Sequence, residues 1–267
     1  MRRAPAIRRQ EGFSLLELLI ASAIFILLCG AAFGLLTVAQ QRYQTESQVL
    51  NSFQEARFGM DQMVRDVNDS GYPSRGLFSV IPPPSQANLY AATPVAWMPN
   101  YPAIPCTLGG NCATPGNFDL IIETNVDPQN DNVVDWVRYQ LQNTTLFRAI
   151  VNKDPASDPD TATSSSLVPY VQNVMNNATA GQIAQFTASY PAMFPGGLAV
   201  PIFSYTCDTP FGPKLCTDPA AASYNSPLNI LDVEITLIVM APTPDVQTGQ
   251  PRLVELRGRG HRLISAQ

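Results

Sequence analysis

The chain is poor in the residues from which most active sites are built. A single histidine, His261, stands among 267 residues, so a multi-histidine metal site is impossible. Five cysteines occur without a C-x-x-C pair, which excludes a zinc ribbon or a thioredoxin-like motif. Charged residues make up only 14% of the chain, and a net charge of −5 argues against binding nucleic acid by charge. There is no G-x-S-x-G elbow, phosphate loop or H-E-x-x-H, and a nucleophilic triad would have His261 as its only base. The expectation is a protein without catalytic function or cofactor, with one cation site left open below. What is present excludes disorder: 45% of residues are hydrophobic, with 12 Phe and 9 Tyr, in a chain long enough for one or two domains with a real core.

Charge is distributed unevenly. Arg2, Arg3, Arg8 and Arg9 face only Glu11 in residues 1–12, so a basic start precedes an acidic remainder. An apolar run from Phe13 to Ala39 follows, interrupted by one charge, Glu17. At about 1.5 Å per residue the run spans roughly 40 Å, more than the ~30 Å hydrocarbon core of a bilayer. The arginine-rich side stays cytoplasmic and the rest is exported. Two other processing routes fit less well. Ala21-Ser22-Ala23 has the small-x-small form of a signal cleavage site, but the apolar run continues well past it. Cys29 follows Leu27-Leu28, where lipidation wants small residues. A plain anchor gives no reason for Glu17, because a carboxylate in hydrocarbon costs a few kcal/mol and needs a partner or a task.

The segment Gly12-Phe13-Ser14-Leu15-Leu16-Glu17-Leu18-Leu19-Ile20-Ala21 resembles the class III leader junction of type IV prepilins and pseudopilins. The resemblance implies that a prepilin peptidase cuts between Gly12 and Phe13 and methylates the new amino group of Phe13. It also implies that Glu17 pairs with the terminal amine of a neighbouring subunit, each charge neutralising the other within a packed helix core. Buried charges persist when paired and are strongly penalised alone.

Beyond the bilayer the helix continues. No proline interrupts Gln40–Asn68, and Val49, Phe53, Ala56, Met60, Met63, Val64 and Val67 recur at three- and four-residue steps, one apolar stripe of an amphipathic helix. Arg57, Asp61 and Arg65 follow at i,i+4 on another face. Asp69-Ser70-Gly71-Tyr72-Pro73 ends the helix. Residues 74–117 are Pro-rich and read as a linking loop. Alternation predicts strands over Phe118–Thr124, Val133–Leu141 and Thr145–Val151, with Gln142-Asn143-Thr144 as a turn, and outward-facing Asp119 and Glu123. Residues 152–227 read as a second irregular region, with Val168–Met175 a candidate element.

Leu228–Met240 places Leu231, Val233, Ile235, Leu237 and Val239 on one face. Arg252–Ile264 turns Val254, Leu256 and Ile264 inward, and the two segments form an antiparallel hairpin. The fold class is α+β: a long N-terminal helix, half membrane and half amphipathic, packed on an antiparallel β-sheet domain in a pilin-like lollipop layout. The boundaries are a leader 1–12, a transmembrane helix 13–39, its periplasmic continuation 40–70 and a globular β-rich domain 71–267.

The order of elements is most similar to PilW-type minor pilins and, more distantly, to J-type pseudopilins of type II secretion. This resemblance implies a bacterial, methylated, single-pass inner-membrane protein that joins a fimbrial fibre at the cell surface. Its partners would be the prepilin peptidase, other major and minor pilins, the inner-membrane assembly platform and the lipid bilayer.

Three further features have competing readings. Asp127, Asn130, Asp131, Asn132 and Asp135 gather oxygen ligands of the kind Ca²⁺ prefers, with Asp127, Asn130, Asp131 and Asp135 the candidate set. No central Gly or closing Glu makes an EF-hand, and Asp, Asn and Pro are also ordinary turn chemistry. In an exported domain Cys106, Cys112, Cys207 and Cys216 would be oxidised; three connectivities exist, and two local bridges are the simplest. Cys29 reads as a small packing residue, and Gly30-x-x-x-Gly34 fits a close helix contact but is common in apolar helices. Arg252, Arg257, Arg259, His261 and Arg262 form a basic stripe that could meet DNA phosphates, as in some competence pilins, or be a solvated strand edge.

Overall fold

A computed structural model describes residues 14–96, 116–129, 131–224, 226–245 and 249–262. Gly12, Phe13, Cys106, Cys112, Asn130 and Ile264 lie outside the described residues. Helix α1 runs from Leu15 to Asn68. The chain divides into two compact units, Met1–Ser47 and Gln48–Gln267, so the distal part of α1 belongs to the second unit.

In that second unit two antiparallel four-stranded sheets surround the distal α1. The first has the order β1 (Asp119–Thr124), β2 (Asp135–Gln142), β3 (Thr145–Asn152), β4 (Val168–Val171). The second has the order β6 (Lys214–Leu215), β5 (Phe203–Cys207), β7 (Ile230–Met240), β8 (Leu253–His261). Helices α2 (Pro159–Ser164) and α3 (Ala180–Ser189) flank them. The expected α+β class is therefore the observed one, with two sheets where the sequence suggested one.

Local chemistry explains most of these elements. Asn143 takes a left-handed backbone (φ 53°), which asparagine tolerates, and closes the β2–β3 hairpin with Gln142 opposite Thr145. Asp158 caps α2 by accepting from the amides of Asp160 and Thr161, with Pro159 in its first turn. Thr179 and Gln182 form a reciprocal capping box on α3. Thus residues 152–227, expected to be irregular, hold two capped helices and three strands. Past β4 the chain crosses between sheets: Met175 N–H donates to Ile238 O (2.7 Å) and Met240 N–H to Asn173 O (2.9 Å), bringing buried Val174 alongside β7.

The predicted stripe is the packed face of α1. Ala56, Met60, Met63 and Val67 are buried in one cluster with Leu120, Ile122, Val137 and Tyr139 of the first sheet and Val233, Ile235, Leu237 and Val239 of the second. Each such aliphatic side chain contributes about 1.5–3 kcal/mol when fully buried. Three glycines let side chains of a neighbouring element close directly onto the backbone. A Cβ on Gly59 would lie 2.6 Å from Val171 Cγ2, one on Gly258 2.7 Å from Val64 Cγ2, and one on Gly260 2.4 Å from Val67 Cγ1. Gly258 and Gly260 continue the inward face begun by Val254 and Leu256, so α1 sits directly on β8.

Two expectations are corrected. Glu123 does not face solvent but is fully buried, because residues 94–96 lie along the outer edge of β1: Glu123 N–H donates to Pro94 O (3.2 Å) and Ala96 N–H to Ile121 O (2.9 Å). Leu231 does not join the inward row. The register passes from Thr206↔Asp232 to Cys207↔Ile230, so Leu231 is bulged and Ile230 enters the core instead.

Candidate membrane and assembly helix

The proximal α1 is apolar and uncovered. Leu15, Phe25, Leu27, Phe33 and Leu35 are each about two-thirds exposed or more, and no described residue of the run is buried by the chain itself. Its length and composition suffice to cross a membrane. Three hydroxyls in and just beyond the run are satisfied within the helix. Ser22 donates to Leu19 O, Thr37 to Phe33 O and Thr45 to Gln41 O, each at 2.9 Å, as a helix in hydrocarbon requires. Cys29 is a half-buried free thiol, and a Cβ on Gly30 or Gly34 would meet nothing within 4 Å.

Glu17 closes a capping box at the first turn. Ser14 N–H donates to Glu17 Oε2 (3.0 Å), while Glu17 N–H donates to Ser14 Oγ (3.2 Å). The Ser-x-x-Glu spacing was legible in the sequence, and it gives the carboxylate a local partner in the single chain. A charge at the helix N-terminus is also favoured by the helix dipole.

The other predicted residues fall as follows. Cys207 and Cys216 are bonded, with Cα atoms 5.0 Å apart, and staple β5 to β6. Asp127, Asp131 and Asp135 share the β1–β2 connection, but their oxygens and backbone hold the turn. Val126 N–H donates to Asp135 Oδ2 (3.1 Å), Val133 N–H to Asp131 Oδ1 (3.1 Å) and Asp131 N–H to Asp127 O (3.3 Å). Among the described residues no group of three or more His, Cys, Asp or Glu is arranged to hold a metal. Burial, with smaller contributions from Asp131 and Asp127, raises the Asp135 pKa above the usual carboxylate value, against the Val126 hydrogen bond.

The basic stripe is internally compensated. Arg259 Nη2 lies 2.6 Å from Asp232 Oδ2, His261 Nδ1 2.6 Å from Asp232 Oδ1, and Arg257 Nε 2.6 Å from Glu255 Oε1, while Arg252 pairs with Asp245. Arg262 donates to Leu228 O (2.6 Å), and burial lowers its pKa. Burial opposes the charge on Asp232, yet the Arg259 and His261 hydrogen bonds and charges outweigh it and hold the pKa below the usual value. These carboxylates compete for any phosphate that approaches.

Sequence reasoning missed the buried polar ties. Asp66 on α1 accepts from Tyr139 Oη and from Arg148 Nη2 (2.7 Å), and Arg148 stacks over Tyr139 and Tyr170. Burial drives the Tyr139 phenol pKa far up, so it stays a donor. Lys153 Nζ lies 2.9 Å from Glu123 Oε2, both essentially inaccessible, and Trp136 Nε1 donates to Glu123 Oε1 (3.2 Å). Arg138 bridges Asp119 and Asp160 at 2.6 Å each. Only Asp66, appearing on the apolar side of the α1 stripe, carried a signal of this kind in the sequence.

The uncovered apolar helix, its acid at the first turn and the sheets packed on its distal half together define a pilin-like α+β architecture. Residues 7–33 match the family described as the prokaryotic N-terminal methylation motif. The match supports a class III prepilin-like protein, of the pilin or pseudopilin type that prepilin peptidase processes. Leader and helix together suit a single-pass inner-membrane anchor. No curated protein and no solved structure matches the chain.

Proposed function

We propose that the chain is a minor pilin, most like PilW-type subunits, acting in the priming or tip complex of a type IV pilus. One observation carries the reading: a methylation-motif leader precedes a helix whose apolar run is exposed along its length and holds a single acid at its start. Such a surface needs cover, by hydrocarbon before assembly and by other apolar helices afterwards. Cleavage after Gly12 frees the amine of Phe13. The helix holds the subunit in the inner membrane with the sheet unit in the periplasm, until the assembly platform passes it to a fibre of major and minor pilins. There Glu17 exchanges its bond to the Ser14 amide for a neighbouring subunit's N-terminal amine and sets the register. No catalytic step is assigned to any residue.

The test separates capping from ion pairing. Glu17→Gln preserves the Ser-x-x-Glu/Gln box but cannot neutralise an amine, whereas Glu17→Ala loses both. Both variants should be cleaved and neither should enter fibres. Normal fibre incorporation of Glu17→Gln would refute the register role. Amino-terminal sequencing should find N-methylated Phe13 in the native protein, and Gly12→Ala should block processing, visible as a mobility shift. Loss of protein export with surface fibres intact on deletion would instead identify a pseudopilin of a type II-like secretion system.

A further inference from the structure

Between α1 and β1 the chain carries an apolar ridge that it does not cover. Residues 79–85 read Ser-Val-Ile-Pro-Pro-Pro-Ser, without a charge. Ile81, Pro82 and Pro83 each precede a proline, which holds them extended, and Pro83 takes polyproline II angles (φ −69°, ψ 161°). The ridge is pinned at one point. Pro82 is buried and its carbonyl accepts from Arg75 Nη2 (3.0 Å), with the Arg75 guanidinium over the Tyr90 ring. Val80 and Ile81 stand out instead, 81% and 64% exposed, and among the described residues their N–H and C=O groups pair with nothing.

The same loop helps to form a cavity of about 480 Å³, lined by Tyr72, Leu77, Phe78 and Leu89 with Pro128 and Asn132. Its walls are tied where Asn125 N–H donates to Tyr72 O (2.9 Å). Among the described residues none that lines it is charged, so the cavity suits a neutral, largely apolar occupant. The Tyr72 hydroxyl and the Asn132 carboxamide have no hydrogen-bond partner among the described residues and are available to an occupant's main chain. Aromatic rings and prolines with a few side-chain donors are the surface that receives a polyproline II segment, whose backbone bonds are unused.

We infer that the Val80–Pro83 ridge of one copy of this chain docks in the cavity of a second copy, and the second copy's ridge in the first. Leu77 and Phe78 line the cavity and Val80 and Ile81 follow them directly, so one loop supplies both halves and a two-fold contact can use both at once. An uncharged ridge then meets an uncharged cavity, and its pinned backbone loses little freedom on docking. A neutral sugar would also suit the cavity but would leave Val80 and Ile81 in water, whereas a second copy covers both features. The contact is smaller than the roughly 20–30 residues a side of a stable interface, so the association is weak. The inference concerns the second unit and stands or falls separately from the role of Glu17 and the proximal helix.

The test uses the full chain in detergent micelles and a fluorescent, blocked peptide of residues 79–85, Ser-Val-Ile-Pro-Pro-Pro-Ser. Fluorescence anisotropy should show saturable binding with a Kd below about 1 mM. Tyr72→Ala takes a ring from the cavity and should weaken binding roughly tenfold or more, as should aspartate in place of the peptide's isoleucine. Ile81→Asp in the chain spoils the ridge and leaves the cavity, so that variant should still bind the native peptide. In sedimentation equilibrium the native chain should self-associate at least roughly tenfold more tightly than either variant. Circular dichroism and an intact Cys207–Cys216 bond establish that each variant is folded. Absence of saturable binding, equal binding by the folded Tyr72→Ala chain, or self-association unchanged by Ile81→Asp would each overturn the proposal. The last, with the peptide still bound, gives the cavity to a proline-rich segment of another protein, and displacement of the peptide by maltose gives it to a neutral sugar, which overturns the proposal equally.

Discussion

Adding one methyl group at Gly260 should loosen the seat of α1 on β8. The new Cβ would lie 2.4 Å from Val67 Cγ1 and 2.5 Å from Val67 Cβ, where carbon atoms normally approach to about 3.5–4.0 Å. Val67 is β-branched and helical, so its χ1 cannot rotate away, and the strand and helix must separate instead. Overpacking of this kind costs about 1–3 kcal/mol, offset by about 0.4–1 kcal/mol because alanine has less freedom than glycine in the unfolded chain. Gly260→Ala should therefore lose about 1–2 kcal/mol, equal to several degrees in Tm. Gly258→Ala should lose less, because one of its close contacts is Met60 Sδ at 2.8 Å, on a side chain that adapts. Val67→Gly removes both the Cγ1 and the Cβ that the new methyl would meet, so the double variant Gly260→Ala/Val67→Gly should be more stable than the two single losses added together, by about 1 kcal/mol. Urea unfolding of the full chain in micelles, followed by fluorescence of buried Trp136, measures each variant against the native chain. Additivity to within about 0.5 kcal/mol, or a Gly260→Ala variant as stable as the native chain, would refute the direct seating of helix on strand.

Three other perturbations address separate parts of the fold. Reducing Cys207–Cys216, which are nine residues apart, should cost about 2–3 kcal/mol through the freed loop, read as a lower Tm under reductant that Cys207→Ala abolishes. Lys153→Met removes the ammonium 2.9 Å from the inaccessible Glu123, which keeps hydrogen bonds from Ala92 N–H (2.6 Å) and Trp136. It should cost about 3–5 kcal/mol in urea unfolding, and adding Glu123→Gln should restore part of it; a neutral Lys153→Met would dismiss the pair as a fastener. The folded-state pKa of Asp135 is raised, so the folded chain holds that proton more tightly than the unfolded one, and this group's contribution to stability falls as pH rises from the unfolded value of 3.8 through the raised one. Asp135→Asn should flatten that dependence, hold or raise stability at neutral pH, and leave Tm indifferent to Ca²⁺. A calcium-dependent rise in native Tm that Asp135→Asn removes would restore the cation reading.

The sequence by itself determined whatever is written in consecutive residues. The basic start, the apolar run with Glu17, the α1 stripe ending before Gly71, the Asn143 turn and the final hairpin all follow from periodicity and local conformational preference, which neighbours along the chain decide. Even the α2 and α3 caps, at Asp158 and at Thr179 with Gln182, were written there in regions read as irregular. Only the tertiary structure decided what depends on distant partners. Glu123 alternates like a solvent-facing residue and is buried because residues 94–96, far away in sequence, close over it. Leu231 looked inward until pairing with β5 bulged it. Gly258 and Gly260 are the surface on which α1 rests, because Met60, Val64 and Val67 of the helix pack against them. Burial, register and edges are properties of pairs of segments, and loop closure between such segments carries no local code.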